Sequence, residues 1–242
     1  YWLLSENLKS AKLNPFEGSE KEALNSLDQL LISTVKGQMQ ADVPLGAFLS
    51  GGVDSSLIVA LMQEQSARSI ESFTIGFDNR EFNEVPYAKE VAKYLGTQHN
   101  ELYVSSETAR DVIPNLPKIY DEPFSDSSQI PTFLVSEMAQ KQVKVCLSGD
   151  GGDEVFGGYN RYTWGNSLLS KQVHIPKIFR SFAIKLFTSI TPSTWNQILA
   201  PGLYFTPQKF RHSNIGDKIH KLANVFECVS FEEVYRMLIS HW

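Results

Sequence analysis

The sequence has little of what marks several large classes of protein. It contains two cysteines in 242 residues, Cys146 and Cys228, and no Cys-x-x-Cys pair, which disfavours a zinc site. No apolar run approaches the roughly 18 residues of a membrane-spanning helix. The formal net charge of −5 provides no basic surface for nucleic acid. We therefore expect a globular, cytoplasmic protein with reduced thiols that binds neither membranes nor nucleic acids.

Short apolar runs and amphipathic helical patterns alternate over the first two thirds of the chain. Strands are predicted at Pro44–Leu49, Ser72–Phe77, His99–Val104 and Val143–Leu147. Helices are predicted from Ser19 to about Gln40, over Ser55–Gln65, from Asn83 to Leu95, from Ser106 to the prolines at 114 and 117, and over Ile130–Gln140. This alternation is typical of an α/β fold with a mostly parallel sheet between helices. Residues 1–18 are expected to be a polar linker, and the chain beyond about Tyr159 an irregular helical region.

A glycine-rich loop follows the first predicted strand and precedes a helix. Residues Ser50–Ser56 read Ser-Gly-Gly-Val-Asp-Ser-Ser. Gly51 and Gly52 allow the backbone to approach a phosphate closely, and the helix N-terminus would direct its free N–H groups at the anion. Asp54 would repel a phosphate unless a cation such as Mg²⁺ lay between them. The loop lacks the Walker signature, which disfavours kinase or GTPase chemistry, and it also lacks the dinucleotide-binding signature.

A second glycine-rich loop, Ser148–Glu154, follows the fourth predicted strand. It places Asp150, Asp153 and Glu154 among three glycines. Carboxylates at this density suit a magnesium contact and a general base near a reacting acyl group. A calcium-like or merely solvated acidic turn fits the spacing as well. Ligands of parallel sheets bind beyond the carboxyl ends of the strands, which is where both loops are expected.

The first loop resembles the PP motif of the N-type ATP pyrophosphatases, which cleave ATP between the α- and β-phosphates and transfer AMP to an acceptor. Both loops together, with Val43–Gly46, Phe73–Phe77, Asn83-Glu84 and Asp121–Ser128, resemble the synthetase domain of glutamine-dependent asparagine synthetase. The resemblance covers roughly residues 20–165 well. It implies an adenine nucleotide alpha hydrolase-like, PP-loop core over residues 19–165 and a helical part of the same domain over residues 166–242.

The resemblance also implies roles for individual residues. Leu49 and Ile75 would frame the adenosine. The pyrophosphate would be held by Ser50, Gly51, Gly52, Asp54, Ser55 and Ser56, and a second nucleotide contact by Ser148 and Gly149. Asp54 and Asp153 would bind Mg²⁺. Asp150 would help to deprotonate ammonia or the tetrahedral adduct, with a loop-bracing carboxylate as the alternative.

Asp121, Glu122 and Asp126 would form a substrate loop, although a surface turn gives the same pattern. The implied reaction converts ATP, L-aspartate and ammonia, through β-aspartyl-AMP, into asparagine. A related amidotransferase or β-lactam synthetase with another acceptor remains open, as does a nucleotide-binding module without turnover.

The family also carries an N-terminal glutaminase domain and continues well beyond the end of this sequence. We therefore expect an interior piece of a longer chain, in which residues 1–18 are the linker from a glutaminase domain. The helical part would be truncated at its C-terminus. A homodimer is a possible assembly that the sequence does not decide.

Overall fold

The computed structural model describes residues 2–78, 83–123, 126–160, 162, 165, 167, 170, 175–203 and 215–240. The chain divides into two compact units, residues 1–150 and residues 151–242. The domain bounds expected from the resemblance, 19–165 and 166–242, stay a prediction.

The first unit is built on a four-stranded parallel sheet with the strand order β3-β2-β1-β4. Its strands are β1 (Leu45–Phe48), β2 (Glu71–Phe77), β3 (Gln98–Val104) and β4 (Val145–Leu147). Strand β1 lies between β2 and β4, so that Gly46 pairs with Glu71 on one side and with Cys146 on the other. Because the strands are parallel, the carboxyl ends of β1 and β4 lie side by side at one edge. The predicted parallel sheet is confirmed.

Helices precede and connect these strands, and most of them lie where the sequence predicts them, with ends displaced by one or two residues. They are α1 (Leu4–Leu13), α2 (Glu20–Gln38), α3 (Val53–Gln65), α4 (Val85–Leu95), α5 (Ser106–Val112), α6 (Leu116–Ile119) and α7 (Gln129–Ala139). Ser19 caps α2 as predicted, because the Glu22 carboxylate accepts from the Ser19 N–H at 2.7 Å and the Ser19 hydroxyl accepts from the Glu22 N–H. After α5, the proline-containing stretch continues as one 3-10 turn, Ile113–Asn115, and the short α6.

The first eighteen residues, which the sequence predicts to be a polar linker, contain a helix that it does not predict. Leu4–Leu13 forms α1, and none of its residues is buried. The apolar side chains of this helix therefore contribute no core contact that periodicity could reveal; Leu8, for example, is 54% exposed. The role of the segment as a linker stays a prediction.

Two apolar clusters cover the two faces of the sheet. Successive strand residues point to opposite faces, so Ala47 and Leu49 contact one cluster and Phe48 the other. The first cluster also contains Val35, Val59, Leu61, Met62, Ile70, Ala88 and Ala92 from the region of α2, α3 and α4. The second is formed by Phe73, Val135, Ala139 and Val143, with α7 as its helical layer. The predicted arrangement of helices on both faces is confirmed.

The second unit is helical over its described residues. Its helices are α8 (Gly152–Phe156), α9 (Lys177–Thr188), α10 (Pro192–Leu203), α11 (Ile215–Glu227) and α12 (Phe231–Ile239). A small core of Val225, Cys228 and Val234 joins α11 to α12. Among all described residues, no helix combines the length and apolar character needed to cross a bilayer.

A polar cluster joins β2 to β3 near the amino-terminal ends of both strands. The Ser72 hydroxyl lies 2.9 Å from Nδ1 of His99 and 2.9 Å from Oγ1 of Thr97. Nε2 of His99 is buried and has no hydrogen-bond partner among the described residues. Desolvation lowers the pKa of His99; the Lys89 ammonium adds to this effect and the Glu101 carboxylate opposes it.

We expect the free energy of unfolding to decrease as the pH falls below the ordinary histidine pKa of 6.5. The unfolded chain binds a proton there, whereas folded His99 stays neutral until the pH reaches its lower pKa. The contribution of neutral His99 to the free energy of unfolding is therefore complete above the pKa of the unfolded state. It is lost as the pH falls through the lower pKa of the folded state. Urea unfolding at about pH 7.5 and about pH 5.5 measures the loss. In His99→Asn, whose amide can keep the bond to Ser72, the loss should shrink; an equal loss in both proteins would contradict the expectation.

Candidate functional site

The first glycine loop is held by hydrogen bonds among its own residues. It leaves β1 at Leu49, turns at Gly51 with φ of +83°, and enters α3 at Val53. The Ser50 N–H donates to the Ser55 hydroxyl at 3.2 Å, and the two serine hydroxyls lie 2.8 Å apart. The Gly52 N–H in turn donates to the Ser50 hydroxyl at 3.2 Å. These bonds fix the loop at the N-terminus of a 13-residue helix, whose first-turn N–H groups have no intrahelical partner and therefore suit an anion.

Gly51 also allows the loop to approach α4 closely. A Cβ atom on Gly51 would lie 2.6 Å from the backbone nitrogen of Ala88 and 2.7 Å from Cβ of Tyr87. Both are atoms at or next to the backbone, so a flexible side chain cannot move aside to make room. This position therefore needs glycine for two independent reasons, its dihedral angle and its neighbours.

Two polar side chains on the first turns of α3 have no partner within the described part of the chain. Asp54 is half-buried, and none of its described neighbours forms a hydrogen bond or an ion pair with its carboxylate. The Ser56 hydroxyl is buried and likewise without a described partner. A buried polar group without a partner is costly, so both groups are suited to a ligand that the protein atoms do not supply.

The second glycine loop approaches the first at the carboxyl edge of the sheet. A Cβ atom on Gly149 would lie 2.7 Å from the backbone nitrogen of Ser55 and 2.8 Å from the carbonyl carbon of Asp54. Glycine at this position thus lets the segment after β4 contact the backbone of the first turn of α3. The structure therefore brings Gly149 beside the first glycine loop, and the expected nucleotide contact of Ser148 and Gly149 stays a prediction.

Asp150 is exposed and takes part in a local hydrogen-bond pair. Its Oδ2 accepts from the Ser148 hydroxyl at 3.0 Å, and its N–H donates to the same hydroxyl at 3.4 Å. This geometry braces the loop. The second carboxylate oxygen, Oδ1, has no partner among the described residues and stays available to a ligand. Both interpretations made from the sequence are therefore compatible with the structure.

Leu49 and Ile75 differ in how much surface they offer. Leu49 is 1% exposed and packs in the core beneath the loop, while Ile75 is half-buried. The backbone of Leu49 is held by β2, because its N–H donates to the Phe73 carbonyl at 2.9 Å and its carbonyl accepts from the Thr74 hydroxyl. In this structure Leu49 supports the loop from below, and its expected contact with adenosine stays a prediction.

The expected substrate loop lies between α6 and α7. Asp121 and Glu122 are exposed, and Oδ1 of Asp126 accepts from the Ser128 N–H at 2.8 Å just before α7 begins. That bond is typical of a turn in which an aspartate holds its own backbone. Phe124 and Ser125 lie outside the described residues, and a role in substrate binding stays a prediction for all three acidic residues.

The remaining acidic residues of the second glycine loop belong to the second unit. Gly151 has φ of +89° and precedes α8, whose first turn carries Asp153 and Glu154. Oε1 of Glu154 accepts from the Tyr159 hydroxyl at 2.7 Å, and the Asp153 carbonyl accepts from the Gly158 N–H at 3.0 Å. The expected magnesium contact of Asp153 is untested.

Within the described ranges, no group of three or more His, Cys, Asp or Glu side chains is arranged to hold a metal ion alone. Magnesium rarely needs such a group. It usually keeps several waters and binds through one or two carboxylates together with substrate phosphates. The half-buried carboxylate of Asp54 in the first glycine loop has the chemistry for that type of site.

Sequence patterns did not reveal two features of this region. One is the hydrogen bond that the Thr74 hydroxyl donates to the Leu49 carbonyl, and the other is the close contact of Gly51 with α4. A polar residue inside the apolar strand β2 was the available signal for Thr74, which is 3% exposed. The Gly51 contact is tertiary, and no local sequence signal reports it.

Comparison with known proteins agrees with this geometry. The family model described as asparagine synthase matches residues 26–242. A protein named as an asparagine synthetase (glutamine-hydrolyzing) in Methanocaldococcus jannaschii is 39% identical over 220 residues, which cover 90% of this chain and 41% of that protein. Asparagine synthetase 1 of Bacillus subtilis is 38% identical, covering 63% of this chain and 24% of its own length. Asparagine synthetase B of Escherichia coli is 32% identical, covering 67% and 32%.

Among solved structures, NMN synthetase from Francisella tularensis aligns over 60% of this chain and 61% of its own, with a TM-score of 0.41 and 14% identity. The chain spans less than half the length of each curated relative named above. The match of the family model extends over most of the chain and includes both glycine loops. The chain belongs to the asparagine synthase family.

Proposed function

We propose that this chain carries the ATP site of an enzyme that makes L-asparagine from ATP, L-aspartate and ammonia. The observation that supports this best is the contact of Gly149 with the backbone of Asp54 and Ser55. It brings together two loops that a simple strand–helix turn would not need to join. Membership of the family supports the choice of reaction, since the relatives are named for asparagine synthesis with glutamine hydrolysis.

In the first step, a side-chain carboxylate oxygen of aspartate attacks the α-phosphorus of ATP. The bond from that phosphorus to the bridging oxygen breaks, and pyrophosphate leaves, so that β-aspartyl-AMP remains. The protein has little covalent chemistry to perform in phosphoryl transfer, because positioning and charge neutralisation dominate. The N–H groups of the first turn of α3, together with the hydroxyls of the Ser50–Ser56 loop, would hold the leaving pyrophosphate.

In the second step, the nitrogen of ammonia attacks the acyl carbon, and AMP leaves with the electron pair of the broken C–O bond. The adduct must lose a proton. Asp150 is our candidate for the base that accepts it, since Oδ1 of its exposed carboxylate has no partner among the described residues. Its bond from Ser148 would hold the other oxygen in place.

Asp54 is the residue of the first loop that would hold Mg²⁺, while the magnesium contact expected for Asp153 stays a prediction. When bound, the ion would neutralise charge on phosphate oxygens. In the full-length protein, a glutaminase domain of the same chain would supply ammonia, as the names of the relatives indicate for those proteins.

Pyrophosphate release tests the reaction. The full-length protein is given ATP, Mg²⁺ and ammonium, with or without L-aspartate, and pyrophosphate is measured. We expect release that depends on L-aspartate and asparagine as a product. Release that ignores aspartate but responds to another carboxylic acid would reject the choice of acceptor and keep the adenylation chemistry. That outcome would favour a related amidotransferase or a β-lactam synthetase.

The 242-residue chain itself is tested in parallel, because nucleotide binding without turnover is our expectation for it. We expect it to bind Mg-ATP by calorimetry and to release no pyrophosphate with aspartate and ammonium. A chain that bound no ATP under conditions in which it is folded would reject the nucleotide site. Aspartate-dependent turnover by this chain would show that its 242 residues suffice for adenylation.

A further inference from the structure

The carbonyl of Leu49 marks the point where β1 ends and the glycine loop begins. The paired register of β1 and β2 ends at Phe48 opposite Phe73. One residue later, the Leu49 N–H still donates to the Phe73 carbonyl at 2.9 Å. The Leu49 carbonyl accepts from a side chain instead, the hydroxyl of Thr74. Both residues are buried, with 1% and 3% exposure, so water does not compete for this bond.

The bond acts on the loop through the peptide that joins Leu49 to Ser50. That peptide is trans, and a trans peptide is planar, so its C=O and N–H point in opposite directions. When Thr74 holds the Leu49 carbonyl toward β2, the Ser50 N–H must point away from β2. It meets the Ser55 hydroxyl there at 3.2 Å.

Further hydrogen bonds connect the oriented Leu49–Ser50 peptide to Gly52. The Ser55 hydroxyl lies 2.8 Å from the Ser50 hydroxyl, which accepts from the Gly52 N–H at 3.2 Å. The Ser55 hydroxyl also donates to the Gly52 carbonyl at 3.3 Å. The direction of these loop groups therefore depends on one buried hydroxyl that no ligand needs to touch.

We propose that Thr74 is a positioning residue for phosphate binding: its hydroxyl sets the Leu49–Ser50 peptide and thereby aims the glycine loop at the nucleotide. This inference rests on the proposed ATP site. It assigns to the core of β2 a function that goes beyond packing, because a side chain that merely filled this space could be valine.

Ser72 provides a matched control in the same strand. It lies two residues before Thr74, so its side chain points to the same face of the sheet. It is also fully buried, at 0% exposure. Its hydroxyl contacts Thr97 and His99 near the amino-terminal end of β3, away from the loop. Removing either hydroxyl destabilises the fold, but only the Thr74 hydroxyl is connected to the loop.

The test compares Thr74→Val, which keeps the shape and removes the hydroxyl, with Thr74→Ser and Ser72→Ala. Affinities for Mg-ATP and AMP are measured by calorimetry, and folding by urea unfolding. For Thr74→Val we expect ATP affinity to fall about tenfold, the equivalent of one lost buried hydrogen bond. AMP, which carries no β- or γ-phosphate, should lose clearly less. Thr74→Ser should bind ATP as the wild type does, and Ser72→Ala should unfold more easily with unchanged ATP affinity.

Unchanged ATP affinity in Thr74→Val, or equal losses for ATP and AMP, would overturn the proposal. A Ser72→Ala protein that lost ATP affinity to the same extent would do so too, since general destabilisation would then explain the effect. If Thr74→Val does not fold, Thr74→Cys replaces it, because a thiol is a weaker donor. Binding by the wild type separates the two proposals: if the folded wild-type protein binds no Mg-ATP, the proposed site itself fails, whereas ATP binding that Thr74→Val leaves unchanged rejects only the role of Thr74.

Discussion

Replacing Asp54 with asparagine is expected to reduce Mg-ATP affinity and pyrophosphate release by roughly 100-fold or more. Even residues that only support metal ligands change metal affinity or activity by about 10- to 100-fold when mutated. Asparagine keeps the shape of the side chain and removes the charge that would face the cation. The residual binding of ATP should also depend less on the Mg²⁺ concentration, which calorimetry at several Mg²⁺ concentrations measures.

The fold should tolerate this substitution. No described group pairs with the Asp54 carboxylate, so asparagine breaks no ion pair or hydrogen bond. The lost charge lies on the first turn of α3, where it favours the helix by about 0.3–1 kcal/mol. A loss of ATP binding as large as expected therefore cannot arise from unfolding, and the urea midpoint should change little.

Asp42→Asn is the matched control for charge. Asp42 is exposed and precedes β1, so it lies at the opposite end of the strand from the glycine loop. It should leave ATP affinity and its Mg²⁺ dependence unchanged. If Asp54→Asn behaved like Asp42→Asn, the assignment of the magnesium carboxylate would be wrong, although the glycine loop could still bind the nucleotide.

Local patterns predicted the strands and helices of the first unit because each carries a signal within its own sequence. Ser19 with Glu22 forms a capping box, and Gly96 ends α4 with φ of +73°. Glycine loops after β1 and β4 indicated the edge of the sheet where we expect the candidate site. Since the strands are parallel, their topology then brings the two loops together without further information.

Prediction failed where the deciding interaction is absent from local sequence. The helix α1 has no buried residue, so no apolar stripe distinguishes it from a linker. The role of Thr74 depends on the pairing of β1 with β2, which joins residues 25 positions apart. A short polar side chain in β2 does not by itself indicate a contact with the loop. Ser72 in the same strand is just as buried as Thr74 and has different hydrogen-bond partners.

The contact between Gly51 and α4 is also tertiary, and local sequence does not report it. Disturbing this contact is expected to have the second large effect, on both stability and ATP affinity. We expect Gly51→Ala to reduce the free energy of unfolding by about 3 kcal/mol, the sum of backbone strain and a steric clash. Alanine is strained at φ of +83°, and its Cβ would lie 2.6 Å from the Ala88 nitrogen. The loop must then move away from α4, so ATP affinity should fall by at least roughly tenfold.

Gly96→Ala separates strain from clash. Gly96 has φ of +73°, close to that of Gly51, but a Cβ there would meet nothing within 4 Å. This variant should lose only the strain energy of about 1–2 kcal/mol and should keep its ATP affinity. Urea unfolding and calorimetry on both variants give the comparison. Equal destabilisation would show that α4 yields to the new methyl group, and retained ATP affinity in Gly51→Ala would show that the loop can bind phosphate without its contact to α4.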